Sequence, residues 1–414
     1  MRNVKKNGKI SGATTSATDP FIAHDDRWLL PEGIEELLPE QAERLERLRR
    51  HLLDLFASWG YRIVIPPIIE HLESLLVGTG RDLELQTFKL TDQLTGRLLG
   101  VRADMTPQVA RIDAHRLKTT APSRLCYVGP VLHTRPQGFA RTRSPFQVGA
   151  ELYGHGGIES DVEILALMVA TLATVGLHRP HIDLGHVGVF RGLAREAELS
   201  NEQEQVLFDA LQRKAKPEIN EYVEALAIEP AYRRMFSALV DLNGGGEVME
   251  EARGRLRQGG RAVQRALDNL QQIAAAAQAR MPDVGLHFDL AELRGYHYQT
   301  GVVFAAFVPG HGQEIARGGR YDDIGRAFGG ARPATGFSTD LETLILLSRN
   351  HSPRSGGIFA PCVDDTALSA LVAGLREQGQ RVCMALPGQQ GGAREVGCDR
   401  IIEQRDGDWI VTAL

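Results

Sequence analysis

The chain has 414 residues, enough for two or three domains each with its own core, and 43% of them are apolar. A net charge of −5 excludes a global cationic field that would recruit nucleic acid, so an RNA-binding role would need a local patch and is not expected. Cys126, Cys362, Cys383 and Cys398 are scattered, with no C-x-x-C pair and no histidine at finger spacing; this argues against a zinc site or a disulfide framework and fits a reducing cytosol.

Met1 to about Asp26 is rich in Ser, Thr, Gly and Lys without periodicity, and is expected to be a disordered tail. Lys5, Lys6 and Lys9 precede no apolar stretch, so a signal peptide is not expected. From Pro39 the spacing of Leu45, Leu48, Leu52, Leu55 and Phe56 predicts a helix stopped by Gly60. Tyr61–Ile65 then reads as a short strand ended by Pro66-Pro67, and Gly78 and Gly80 as a loop. Two strands, Gln86–Thr91 and Arg97–Asp104, are expected around a turn at Thr95-Gly96. Thr106-Pro107 offers a hydroxyl cap and a proline for a helix running through His115.

Pro122–Tyr153 is the most informative stretch. Two strand-like runs, Leu125–Leu132 and Pro145–Leu152, flank a loop carrying Arg135, Arg141 and Arg143. Gln147 and Glu151 fall on one face of the second strand, because strand side chains alternate. An amide and a carboxylate beneath a cationic loop suit a small zwitterion or a nucleotide; a hairpin wetted on its polar face is the plainer reading. The apolar run Ile164–Leu177 is too short to cross a bilayer and reads as a buried helix, so no membrane association is expected. A strand near His181–Val187 follows. Residues 197–281, polar and rich in Gln and Ala, read as an inserted helical subdomain with a Ser200-x-x-Gln203 capping box and a Gly244-Gly245-Gly246 break. Strands return at Val284–Leu290 and Gly301–Val308, and Thr335–Arg349 reads as a strand end leading into a helix. Residues 350–357 read as a linker and 358–414 as a small α/β domain. The main body, 27–349, is expected to be α+β around a large mixed sheet.

Three further clusters carry polar chemistry. Asp104 and Thr106 sit at a strand-to-helix junction, where a carboxylate can hold an ammonium or simply cap the helix. Arg294-Gly295-Tyr296-His297-Tyr298-Gln299 places many polar tips between two apolar strands, as a site or as an edge turn. Gly318-Gly319-Arg320-Tyr321-Asp322 allows close backbone approach. No H-x-x-x-H, G-x-S-x-G or Walker pattern occurs, so neither a metal nor a cofactor is expected.

Taken together, these blocks resemble the histidyl-tRNA synthetase core, a class II aminoacyl-tRNA synthetase fold, over roughly Arg27–Arg349. Gly60–Glu70 resembles its dimer-forming motif 1, Pro122–Glu151 motif 2 and Ala334–Leu344 motif 3. Arg294–Phe304 and Gly318–Asp322 resemble the two histidine-specific signatures. The resemblance implies a histidine pocket made by Asp104, Thr106, Gln147, Glu151, Arg294 and Tyr298, with Asp104 one methylene shorter than the family glutamate and Gln299 in place of a second tyrosine. The phosphate side departs from the family. Leu132-His133-Thr134-Arg135 lacks the Phe-Arg-x-Glu string, so His133 marks a lost position. Asp340 and Thr343 occupy the Gly-x-x-Arg that would clamp the γ-phosphate, replacing a cation with an anion and a neutral group. This pattern resembles a paralogous family, the regulatory subunits of ATP phosphoribosyltransferase. It implies a non-catalytic cytoplasmic protein, a homodimer within a hetero-octamer with the short-form catalytic subunit, required for that subunit's activity and for feedback inhibition by histidine in the first step of histidine biosynthesis. A divergent histidyl-tRNA synthetase and a free-standing histidine or tRNA sensor are the alternatives.

Overall fold

The computed structural model describes residues 28–77, 81–136, 142–296, 298–348 and 356–414. The expected tail, the Gly78 and Gly80 loop, Arg141, His297 and most of the expected linker lie outside the described residues. The chain divides into two compact units, Met1–Arg349 and Asn350–Leu414.

In the first unit, α1 (Pro39–Ser58) carries proline in its first turn and buries Leu45, Leu48, Leu52 and Phe56 as one stripe. Gly60, at φ 83°, supplies the left-handed turn into β1 (Arg62–Ile63). The chain continues through β2 (Ile69–His71), α2 (Leu72–Leu76), α3 (Arg81–Gln86), β3 (Lys89–Thr91) and β4 (Leu98–Val101). The strand expected from Gln86 therefore begins only at Lys89, since Gln86 closes a helix. These strands form a small antiparallel sheet in the order β2-β4-β3. Next come α4 (Thr106–Arg111), extended by a π-helical turn over Ile112–Leu117, and the hairpin β5 (Ser123–Pro130) and β6 (Phe146–Tyr153).

After α5 (Ile158–Ala173), β7 (His181–His186) and α6 (Val187–Glu196), the helices α7 (Asn201–Gln212), α8 (Lys216–Ala225), α9 (Pro230–Leu239), α10 (Glu247–Arg255) and α11 (Gly260–Arg280) follow. The Ser200–Gln203 capping box closes the start of α7 in both directions. The glycine break is a two-residue strand, β8 (Asn243–Gly244), at the edge of the main sheet. The chain then forms β9 (Gly285–Asp289), β10 (Val302–Phe307), β11 (Ala316–Arg320), β12 (Ala334–Asp340) and α12 (Leu341–Leu347).

The main sheet has nine strands in the order β1-β5-β6-β12-β11-β10-β7-β9-β8. Only β1–β5 and β7–β9 pair in parallel; the other neighbours are antiparallel. Its apolar face packs under α1, α5, α6 and α11, and one continuous core takes in Phe56, Leu152, Ile164, Phe190, Phe236, Leu267 and Phe337. Phe56 and Phe337 meet edge to face at 6.2 Å, a geometry worth about 0.5–1.5 kcal/mol beyond the area buried. The opposite face carries a smaller cluster of Met105, Val109, Leu125, Tyr127, Tyr153 and Tyr321. Tyr321 of this cluster lines a cavity.

The second unit is a four-stranded sheet, β13 (Gly357–Ala360), β14 (Val382–Met384), β15 (Cys398–Arg405) and β16 (Asp408–Ala413), in the order β14-β13-β15-β16, with α13 (Thr366–Glu377) capped by Asp365. Leu368 and Val372 of α13 pack on Ile358, Val382 and Ile402.

Candidate functional site

A cavity of about 260 Å³ opens on the tyrosine side of the main sheet, just below the usual range for ligand pockets and so suited to a small occupant. The register places its parts. On β5 and β6, Leu125 pairs Glu151, Tyr127 pairs Gly149 and Gly129 pairs Gln147, so one face presents Tyr127, Gln147 and Glu151 together. Gly336 of β12 lies opposite Glu151, and Gly318 of β11 beside Phe337. A Cβ built at Gly336 would overlap the Glu151 carboxylate, and one at Gly318 would overlap the Gly336 carbonyl and the Phe304 ring. Gly336 is bare because a side chain there would displace Glu151, and Val303, Ala305 and Ser338 line the cavity beside it.

Glu151 is 1% exposed and accepts hydrogen bonds from Tyr127 Oη (2.9 Å), Thr106 Oγ1 (3.1 Å) and Tyr321 Oη. Burial penalises its charge more than these donors favour it, and the carboxyl is pushed up to about 8. Asp104 Oδ1 accepts from the Thr106 amide at 3.0 Å and from Gln147 Nε2 at 2.8 Å, while Gln147 Oε1 accepts from the Met105 amide at 2.9 Å. Asp104 thus holds the first amide of α4 from one residue before the N-cap Met105 and also lines the cavity. The Thr106 hydroxyl, expected as the cap, is turned to Tyr127 and Glu151 instead. Gln147 does not line the cavity; it holds Asp104 from behind.

The opposite wall comes from the turn between β9 and β10. Arg294 is bonded to Glu314 at 2.8 Å, lies 3.4 Å from Glu292 and sits over the Phe307 ring. Tyr298 packs edge-on against Tyr321, with ring centroids 6.5 Å apart, and burial raises its phenol above the ordinary value. Arg317 on β11 completes the rim. Behind the floor, Arg320 and Asp161 form a buried pair at 2.9 Å that ties the end of β11 to α5 and fixes where Tyr321 starts. Five of the six expected residues thus share one cavity, with the acidic groups of Asp104 and Glu151 on one side and Arg294, paired with Glu314 and beside Glu292, on the other with Arg317. Acidic and cationic groups lining one small cavity suit a small zwitterion.

Tyr127 and Glu292 were not singled out by sequence, and Tyr321 entered only as part of the Gly318–Asp322 stretch. Tyr127 was recoverable from strand alternation, since it shares a face with Gly129 opposite Gln147. Glu292 stands two residues before Arg294. Nothing local marks Tyr321 as a partner of Glu151, because the contact spans 170 residues.

Asp340, Thr343 and His133, the positions expected to have lost a phosphate role, are bonded within the protein. Asp340 caps α12, accepting from the Thr343 amide at 2.9 Å and its hydroxyl at 2.7 Å, and its other oxygen accepts from the Phe146 amide at 2.9 Å. Close by, burial and the Asp340 charge push Glu342 up to about 7. His133 is buried with Nε2 2.8 Å from the Ala103 carbonyl, and burial lowers its pKa. Arg143 is taken up by the His133 and Glu32 carbonyls and the Phe88 ring. Among the described residues, no group of three or more His, Cys, Asp or Glu side chains is placed to hold a metal ion, and no helix is long and apolar enough to cross a membrane.

The histidyl-tRNA synthetase family model matches residues 33–344, and the model for the ATP phosphoribosyltransferase subunit HisZ C-terminal domain matches residues 355–412. The ATP phosphoribosyltransferase regulatory subunit of Alkalilimnicola ehrlichii is 58% identical over 96% of this chain and 100% of its own length. That of Thioalkalivibrio sulfidiphilus is 60% identical over 95% of this chain and 100% of its own. Among solved structures, an ATP phosphoribosyltransferase regulatory subunit/histidyl-tRNA synthetase from Bacillus halodurans superposes with TM-score 0.78 at 27% identity, covering 88% of this chain and 94% of that one. A histidyl-tRNA synthetase from Nostoc shares the fold at TM-score 0.75 and 19% identity, over 93% of this chain and 97% of that one. The chain belongs to the ATP phosphoribosyltransferase regulatory subunit family and has the class II synthetase-like fold.

Proposed function

We propose that this chain has no catalysis of its own and acts in the cytoplasm as the histidine-sensing partner of a short-form ATP phosphoribosyltransferase catalytic subunit. It joins that subunit as a homodimer within a hetero-octamer, is required for its activity, and carries the feedback signal to the first step of histidine biosynthesis. One observation supports this reading above the others. The wall that would grip an amino acid is intact and polar, whereas the positions that would grip a triphosphate are a helix cap built on Asp340 and Thr343. Adenylation needs donors aimed at the transferring phosphates, and an aspartate there opposes a polyanion.

In this reading the occupant's ammonium lies toward Asp104 and Glu151 and its carboxylate toward Arg294 or Arg317, with Gln147 keeping Asp104 in place. Occupancy favours one arrangement of the dimer, and that arrangement changes the partner's active site. The test is reconstitution. This chain is added to the short catalytic subunit, phosphoribosyl transfer is measured, and histidine is titrated. Activity that appears only with both chains and falls with histidine supports the reading. ATP–pyrophosphate exchange by the chain alone would overturn it in favour of a divergent synthetase.

A further inference from the structure

The turn that closes the cavity sends its side chains two ways. Arg294, Tyr298 and Gln299 line the cavity, while Tyr296, 5% exposed, points away from it into the helices. The Tyr296 ring is stacked on Phe208 of α7 with centroids 5.1 Å apart and meets Phe190 of α6 edge-on at 5.4 Å. Its hydroxyl donates to the Glu204 carboxylate of α7. Arg191 of α6 lies over the same ring at 4.7 Å and donates to the carbonyls of Tyr296 (2.8 Å) and Gln299 (3.2 Å). The far end of α7 is tied to the same stretch of chain. Lys214 pairs at 2.6 Å with Asp289, whose carboxylate is 4% exposed and whose carbonyl accepts from the Glu292 amide. Gly295, at φ 70°, lets the turn fold so tightly that an added Cβ would press on Tyr298 and Gln299.

A turn held this way cannot shift on the cavity side without moving Tyr296, which is coupled to α7 through its ring on Phe208 and above all through its hydroxyl, the polar bond to Glu204 that fixes the direction of the pull. We propose that Tyr296 is the link by which an occupant of the cavity displaces α7, and that α7 carries the signal out of the sensing unit. The outer face of α7, with Asn201, Glu202, Gln205 and Val206 exposed, is where the displacement becomes readable by a neighbour. The inference rests on the histidine-sensing reading and adds the route by which sensing leaves the cavity. Tyr296 touches helices rather than the occupant, so it is a positioning residue. Its signature is a split between binding and response.

The experiment uses the reconstituted complex with L-histidine as the probe. Histidine binding is measured by calorimetry, inhibition by transferase assay, and α7 protection by amide hydrogen exchange. In the unmodified complex, histidine should alter exchange across Asn201–Gln212. Tyr296→Phe and Glu204→Leu should bind histidine within about threefold of the unmodified complex, as befits loss of one hydrogen bond outside the cavity. Their half-inhibitory concentrations should rise about tenfold or more. Glu204→Gln, which keeps an acceptor oxygen, should restore most of the response. Unchanged α7 exchange on histidine binding, or inhibition by Tyr296→Phe equal to that of the unmodified complex, would overturn the link while leaving the sensing reading intact. Absence of histidine binding to the unmodified complex would overturn both.

Discussion

The cavity around Asp104 and Glu151 and the cap around Asp340 put the same residue types to different ends. In the cavity, Asp104 is braced by Gln147, Glu151 is ringed by hydroxyls and Arg294 is steadied by acids, and all three still line a hollow. Asp340 is bonded to Thr343 and His133 to a backbone carbonyl, and neither lines the cavity. Polar groups make a site where they are held in place beside open space. They make structure where their bonds to neighbours leave no hollow between them. The same residue types do both, so arrangement decides.

The largest effect that would break this contrast is at Glu151. Glu151→Ala should weaken histidine binding by calorimetry about 10- to 100-fold, the range for losing a hydrogen bond to a charged group, while the complex still elutes at its full size. Unchanged binding and inhibition would move the sensor elsewhere. The second effect is pH dependence. The Glu151 carboxyl lies at about 8 in the folded chain against an ordinary 4.5. The folded state therefore binds more protons between those values. Its contribution to stability is fully present below about 4.5 and is lost as pH rises through about 8. Glu151→Gln should flatten the fall in urea midpoint over that window, and an equal slope in both proteins would remove Glu151 as its source.

The Asp340 cap should respond differently. Asp340→Ala deletes the α12 cap and should cost about 1–2 kcal/mol, seen as a fall of roughly 2–4 °C in melting temperature, with histidine affinity preserved. A loss of histidine affinity there would merge the two sides into one site. Smallest of all, Thr343→Val removes one hydroxyl from the cap and should cost about 0.5–1 kcal/mol. It should leave inhibition untouched.

Much of this was legible in the sequence because it is local. The α1 stripe, the hairpin and the Ser200–Gln203 box are written within a few turns of chain, and period-two alternation put Gln147 and Glu151 on one face. What was not legible depends on the ladder between distant strands. Tyr321 reaches Glu151 only because β11 and β12 carry it there, and Thr106 abandons its expected cap for a hydroxyl network that exists only once β5 is in place. The Asp340 substitution was visible, but its new task as a cap required α12 to begin at the next residue.

The bare backbone at Gly336 has a consequence for how this pocket can change. There even a single methyl would land on the Glu151 carboxylate, so the position admits no graded series of substitutions. Gradual tuning is left to neighbouring lining positions such as Ala305 and Ser338 and to the rim at Arg294, Tyr298, Gln299 and Arg317, while a change at Gly336 displaces the buried acid in one step.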